Sequence, residues 1–142
     1  MTIMHAPHGW RRGISMGPEQ KLVHDFHTKY DLPRAASPTM PTPKDRMRRA
    51  RLIVSEAAEF LEAADQSNFV EMVDALADIL VVTYGTAVEM GVDLEPVFAE
   101  VHRSNMSKNG GRDAGGKVLK GPAFSPPDIL RELRKQGYTP AD

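Results

Sequence analysis

The chain has 142 residues, a formal net charge of −1 and no cysteine. This length is typical of one domain with a core of its own, and the near-neutral charge argues against a nucleic-acid-binding protein. The lack of cysteine excludes disulfides and thiol catalysis and fits a reducing compartment, so we expect a cytoplasmic location. No apolar run has the length of a membrane span, so we expect no membrane partner.

The chain starts with a segment that has no apolar core of the signal-peptide kind. We expect residues 1–16 to form a flexible tail and residues 17–142 to form a single domain. The first helix of that domain begins at Pro18, a favoured first helical residue. Its apolar stripe is made by Leu22, Val23, Phe26 and Tyr30.

Two long helices follow, joined by a tight turn at residues 65–68. The second helix begins at Pro43 and extends to about Ala64. The third extends from an Asn68 cap to about Met90, where a glycine ends it. Because long helices joined by a short turn pack antiparallel, we expect this pair to form the centre of the fold.

The fourth helix is capped by Asp93 and extends to about Met106. A Gly-rich loop occupies residues 109–121, and the fifth helix opens with Ser125-Pro126-Pro127-Asp128 and ends at Gly137. No stretch alternates as a strand does, so we predict an all-α antiparallel bundle of about five helices built on the two long central ones. The third helix is apolar on nearly all sides, which predicts burial in a homodimer or homotetramer.

The central helices carry many carboxylates for such apolar segments. On the third helix Glu71, Asp74 and Asp78 share one face, and that helix contains no Lys, Arg or His. On the second helix Glu56 and Glu59 border the apolar stripe. Because the two helices pack antiparallel, the hairpin places the acids of the second helix beside those of the third. Unpaired buried carboxylates are costly, so we expect a hard metal ion: Mg²⁺, Mn²⁺ or Ca²⁺.

The segment Glu56-Ala-Ala-Glu59, followed by VDALADILVVTYGTAVEMG at residues 73–91, resembles the MazG-like all-α nucleoside triphosphate pyrophosphohydrolases. That superfamily includes phosphoribosyl-ATP pyrophosphohydrolase and the dimeric dUTPases. The resemblance covers roughly residues 18–133. It implies an E-E-x-x-E motif on one helix and E-x-x-D on the next, together holding Mg²⁺. On this pattern Glu56, Glu59 and Asp78 are the primary ligands and the catalytic residues.

The chain departs from the motif at two positions. Ser55 stands in place of the first acid of E-E-x-x-E, and Ala75 stands three residues before Asp78. We expect Asp74 to substitute there, as a metal ligand or as a base. Alternatively, Glu71 and Asp74 form the E-x-x-D themselves. We prefer the first register because the apolar run after Asp78 matches that of the family. Glu71 is either a ligand or the acid of a capping box.

Four residues outside the acidic set are candidates for substrate contacts. Asn105 and Lys108 continue the apolar row of the fourth helix, and the resemblance implies an N-x-x-K segment that contacts phosphate or base. The alternative is local: Lys108 complements the helix C-terminus and Asn105 ends the helix. Arg103 is a further candidate. Tyr84 either stacks on a base or packs in the core.

Two basic segments have less specific interpretations. The arginine-rich run over residues 46–51 is typical of a solvated face, although Arg49 lies two turns before Glu56 and is a candidate phosphate contact. Lys117 and Lys120 lie in the Gly-rich loop, which either closes over a triphosphate or only connects two helices.

The resemblance implies a Mg²⁺-dependent hydrolase that converts a nucleoside triphosphate into the monophosphate and pyrophosphate. The implied role is cleansing of the nucleotide pool, with dUTP or dCTP as a substrate. One alternative is a phosphoribosyl-ATP pyrophosphohydrolase. Another is a non-catalytic helical dimer that binds nucleotide or a partner protein, and a third is a structural bundle stabilised by Ca²⁺.

Overall fold

The computed structural model describes residues 16–141, in which five helices and no strand are found. The helices are α1 (Pro18–Lys29), α2 (Pro43–Asp65), α3 (Phe69–Met90), α4 (Leu94–Met106) and α5 (Ile129–Lys135). The prediction of an all-α fold with about five helices is confirmed. The expected flexible tail lies, except for Met16, outside the described residues, and the single-domain assignment stays a prediction.

The central hairpin begins and ends at the residues that the sequence indicates. The Thr42 hydroxyl accepts a hydrogen bond from the backbone N–H of Asp45 at 3.2 Å, which caps α2. Asn68 caps α3 by accepting from the N–H of Glu71, also at 3.2 Å. Gly91 ends α3 with a φ of 67°, a conformation that glycine adopts without cost.

The start of α5 differs from the prediction. Ser125 does not cap a helix; instead, the carboxylate of Asp128 accepts from the N–H of Arg131 at 3.0 Å, and the helix begins at Ile129. The reason is the Pro-Pro pair, because Pro127 disfavours helical backbone at the residue before it. The two prolines therefore form an extended connection ahead of α5.

Two buried glutamines orient α4 and α5 around the end of α3. The side chain of Gln20 donates to the carbonyl of Val92 at 2.7 Å and accepts from the N–H of Leu94 at 3.0 Å. Gln136 makes the equivalent pair with the backbone of Asp93, at 2.9 and 2.8 Å. These bonds satisfy backbone groups that the turn between α3 and α4 leaves unpaired.

A buried ion cluster holds α2 against α3. Arg49 is only 6% exposed, so the expectation of a solvated arginine face is wrong at this residue. Its Nε donates a hydrogen bond to the Thr86 hydroxyl at 3.1 Å and forms an ion pair with a Glu89 carboxylate oxygen at 3.0 Å. Its Nη2 donates to the carbonyl of Val82 at 2.8 Å. Arg48 pairs with the other oxygen of Glu89.

The side of α3 that faces away from α2 is apolar and exposed. Its large side chains are Phe69, Val70, Val73, Leu76, Leu80 and Val81, each between 47% and 76% exposed. An exposed apolar surface of this extent is unusual for a monomer. In the described range no single helix is long and apolar enough to span a membrane; only α3 and α4 together, bent by 115°, reach such a length and composition.

Gly85 allows the Arg49 side chain to lie against α3, and we expect Gly85→Ala to lower the melting temperature. A Cβ at this position collides with the guanidinium group and approaches His27 Nε2 to 3.0 Å. Displacing a buried, paired guanidinium costs about 1–3 kcal/mol, which exceeds the gain of about 1 kcal/mol in helix propensity. Thermal unfolding followed by circular dichroism measures the difference.

Gly115→Ala is the matched control. A Cβ at Gly115 meets nothing closer than an Asp113 oxygen at 3.5 Å, which is an ordinary contact. Its melting temperature should equal that of the wild type. A Gly85→Ala variant as stable as the control contradicts the role given to the ion cluster.

Candidate metal centre

Three carboxylates from the two central helices converge at one point. Glu56 and Glu59 come from α2 and Asp78 comes from α3; one oxygen of each lies within 4.8 Å of the others. Glu56 and Asp78 are half-buried and Glu59 is exposed. The spacing of three residues places both glutamates on one face of α2, and the antiparallel packing brings that face to Asp78.

The electrostatics of the cluster fit a bound cation. Burial raises the pKa of the Glu56 carboxyl, and the neighbouring charges of Glu59 and Asp78 raise it further. None of the salt bridges formed among residues 16–141 involves these three carboxylates. Like charges held together without a basic partner form the donor set that a hard divalent cation prefers, so the residues fit Mg²⁺ or Mn²⁺.

The other two predicted acids lie beside this cluster, not within it. Asp74 is exposed, and its charge makes a small contribution to the raised pKa of Glu56. Glu71 is exposed, and its backbone N–H donates to the side-chain oxygen of Asn68, the residue that caps α3. This arrangement favours the register in which Asp78 is the aspartate of the motif. The ligand roles of Asp74 and Glu71 stay predictions.

The predicted substrate contacts on α4 and α3 have different environments. Asn105 is exposed, and the half-buried Lys108 donates its backbone N–H to the Asn105 carbonyl at 3.2 Å. Tyr84 is half-buried and lines a cavity of about 410 Å³ with Leu80 and Phe98. Six helical residues separate Tyr84 from Asp78, which is about 120° around α3. The cavity therefore lies on another side of α3 from the carboxylates.

Arg103 is engaged in a network that joins α4 to α5. Its guanidinium donates two bonds of 2.8 Å to Glu100 on the same helix and one of 3.1 Å to the Ser125 hydroxyl. Together with the N–H of Asp128, it lowers the pKa of the Glu100 carboxyl to about 2. Arg131 also pairs with Glu100, at 3.1 Å. The proposed contact of Arg103 with substrate remains a prediction.

Glu89 is the acid that sequence reasoning left out. It lies eleven residues after Asp78 and therefore within about 20° of the same face of α3. It is 7% exposed and neutralised by Arg48 and Arg49, so it is not available as a metal ligand. The sequence does contain a signal for this ion pair. Glu89 is an acid in the apolar helix α3, and antiparallel packing places it at the same height as the arginine run of α2.

Glu56→Gln is expected to remove the stabilisation that metal gives. Because the folded state holds the Glu56 proton more tightly than the unfolded state, wild-type stability without metal falls as pH rises above the usual carboxyl pKa of 4.5. Because Gln does not ionise, the stability of the Glu56→Gln variant without metal should not fall in this way. Mg²⁺ at one hundred times its Kd should stabilise the wild type by about 2.7 kcal/mol, and the variant much less. Thermal melts in EDTA and in Mg²⁺ between pH 4.5 and 8 measure both effects.

Glu62→Gln is the matched control for that experiment. Glu62 is exposed on the same helix and accepts a hydrogen bond only from Gln66, at 3.3 Å. This variant should gain as much stability from Mg²⁺ as the wild type. An equal gain in Glu56→Gln contradicts the assignment of Glu56 as a ligand.

Comparison with known proteins identifies the family of this chain. The family model described as phosphoribosyl-ATP pyrophosphohydrolase matches residues 23–105, which include α2, α3 and all three converging carboxylates. No curated protein matches the chain at a significant level. Members of this family hydrolyse a phosphoanhydride bond. The chain belongs to the phosphoribosyl-ATP pyrophosphohydrolase family, within the MazG-like all-α pyrophosphohydrolase superfamily.

Proposed function

We propose that the protein is a Mg²⁺-dependent nucleoside triphosphate pyrophosphohydrolase with a role in cleansing the nucleotide pool. The observation that carries the proposal is the convergence of Glu56, Glu59 and Asp78 without a basic partner, in a chain of a pyrophosphohydrolase family. A cluster of this kind holds a divalent cation, and phosphoanhydride hydrolysis requires positive charge beside the phosphates.

In the proposed reaction, water attacks the α-phosphorus of the substrate. A new O–P bond forms, the bond to the bridging α–β oxygen breaks, and pyrophosphate leaves. Mn²⁺ is expected to substitute for Mg²⁺, and the bound cation supplies neutralising charge and acidifies water. Glu56, Glu59 and Asp78 would hold the cation. The exposed carboxylate of Asp74, close to Glu56, accepts the proton that the attacking water loses.

The proposed substrate is a pyrimidine deoxynucleotide, dUTP or dCTP. Lys108 and Asn105 contact phosphate or base, with Arg103 and Tyr84 as further contacts. A second candidate substrate is phosphoribosyl-ATP, because the matching family model carries that name. Both reactions split an α–β phosphoanhydride and use the same carboxylates, so they differ only in the contacts to the rest of the substrate.

We further propose that the protein works as a homodimer or homotetramer in the cytoplasm, without a nucleic-acid or membrane partner. The support is the exposed apolar side of α3, where Phe69 and Val70 are 76% and 73% exposed. A second copy of the chain is a partner that buries such a face symmetrically. Sedimentation equilibrium measures the oligomeric state, and a monomer at micromolar concentration contradicts this part of the proposal.

Pyrophosphate release from a panel of substrates tests the function. Purified protein is incubated with the common NTPs and dNTPs and with phosphoribosyl-ATP, in Mg²⁺ and in EDTA. We expect release from dUTP or dCTP in Mg²⁺ only. Asp78→Asn should lower kcat by at least about 100-fold, because it removes a group that holds the charge beside the reacting phosphate.

Asp65→Asn, at the exposed end of α2, is the matched control and should retain wild-type kcat. Turnover of phosphoribosyl-ATP alone favours the second candidate. No release from any compound contradicts the hydrolase proposal, and release unaffected by Asp78→Asn contradicts the site.

A further inference from the structure

The cavity of about 410 Å³ beside Tyr84 is a groove between the start of α1 and the helix α4, and we call it the α1–α4 groove. Its floor is formed by α3, with Leu80, Thr83 and Tyr84, and one wall is formed by Phe98 and Val101 of α4. Phe98 is 73% exposed and Leu80 is 53% exposed. The groove therefore presents large apolar side chains that the described residues do not cover.

The two walls of the α1–α4 groove are fixed to each other by Gln20, which also lines the groove. Gln20 is 1% exposed. Its side chain holds the start of α1 against the start of α4, through the bonds to the Val92 carbonyl and the Leu94 N–H described above. The groove is therefore already formed before anything occupies it, as is usual for binding clefts.

Two carboxylates lie at the rim of the α1–α4 groove. Glu19 comes from α1 and Glu95 comes from α4, and both are exposed. Glu95 lies beside the first residues of the domain, because a Cβ at Gly17 would be 3.3 Å from one of its carboxylate oxygens. Neither acid forms a salt bridge among residues 16–141. The rim of an apolar groove thus carries two negative charges that the described chain leaves unpaired.

The segment that precedes the described residues has the opposite charge and a matching apolar content. Residues 1–15 contain Arg11 and Arg12 but no acid, so their formal net charge is +2 with neutral histidines. They also contain Trp10, the only tryptophan of the chain, and Ile14. Because Trp10 and Ile14 are four residues apart, they share a side whether the backbone is extended or helical. The segment therefore combines an apolar side with adjacent cations.

The covalent connection places this segment at the mouth of the α1–α4 groove. Gly17 itself lines the groove, so the chain leads into α1 from the rim. The seven residues from Trp10 to Gly17 span up to about 23 Å when extended, whereas α4 from Leu94 to Val101 is about 10 Å long. A short tether gives the segment an effective concentration on the order of millimolar at the groove. This connection favours the segment over a partner from solution.

We propose that residues 1–15 dock in the α1–α4 groove of their own chain, with Trp10 and Ile14 in the apolar cavity and the two adjacent arginines paired with the two carboxylates of the rim. The segment expected from sequence to be a flexible tail is then part of the folded domain. It covers Phe98 and leaves the face around Phe69, at the other end of α3, to a second copy of the chain. Neither the docking nor its test depends on the proposed hydrolase function.

The fluorescence of Trp10 tests the docking directly, because the chain has no other tryptophan. In the full chain we expect emission at a shorter wavelength than that of free tryptophan, and weak quenching by acrylamide. Phe98→Lys should lower the equilibrium constant for docking by at least about tenfold, because it removes an aromatic wall and adds a cation beside the arginines. Its emission should move to longer wavelength and its quenching should increase. Circular dichroism checks that the variant, changed at an exposed position, is folded.

Phe69→Lys is the matched control. Phe69 is 76% exposed on α3 but does not line the α1–α4 groove, so Trp10 should stay protected from acrylamide in this variant. An exposed Trp10 in the wild type overturns the proposal. Protection lost in both variants also overturns it, because a second copy packed on α3 then covers Trp10. Protection kept in both variants overturns it as well, because Trp10 then docks outside the groove.

Exchange of the charges tests the pairing at the rim. Arg11→Glu with Arg12→Glu should lower the equilibrium constant for docking by at least about threefold, because attraction between exposed charges becomes repulsion. Glu19→Arg with Glu95→Arg should do the same. The four substitutions together restore opposite charges and should return the emission and the acrylamide quenching of Trp10 to the wild-type values. If the combined variant is no better protected than either double variant, the proposal is overturned.

Discussion

The candidate metal centre depends on the antiparallel packing of α2 against α3, which brings like charges together. One carboxylate oxygen each of Glu56, Glu59 and Asp78 lies within 4.8 Å of the others, and burial, followed by repulsion from the neighbouring charges, raises the pKa of Glu56. A fold tolerates such a cluster only if other contacts hold the helices in register. The caps at Thr42 and Asn68 and the buried pair of Arg49 and Glu89 supply those contacts.

Two acidic residues of α3 have opposite environments in the helix pair. Glu89 and Asp78 lie on nearly the same face of α3, but Glu89 is enclosed by Arg48 and Arg49. Asp78, in contrast, forms no salt bridge among residues 16–141 and lies close to Glu56 and Glu59. An enclosed and neutralised carboxylate contributes to structure. A carboxylate with acidic neighbours and no salt bridge is a candidate ligand for a cation. This difference separates the neutralised end of the hairpin, at Glu89, from the end that carries the candidate metal centre.

Much of the fold was predictable because its signals are local. Caps and glycine stops lie within a few residues of the helix ends that they determine, and the bounds of α2 and α3 followed from them. The start of α5 was mispredicted because Ser125 followed by proline resembles a helix cap, whereas the second proline keeps the backbone before it out of the helical conformation. The burial of Arg49 was missed because it depends on Glu89, forty residues away in the chain. Likewise, only the packing of the helices separated Asp78, inside the cluster, from Glu71, which lies outside it at a cap.

The central claim is that three carboxylates of the α2–α3 hairpin hold one divalent cation site. Anomalous scattering from crystals grown with Mn²⁺ tests it most directly, because the scattering locates the ion without reference to activity. We expect a peak within coordination distance, about 2.0–2.3 Å, of oxygens from Glu56, Glu59 and Asp78. A peak that contacts none of these side chains, or no peak at saturating Mn²⁺, contradicts it.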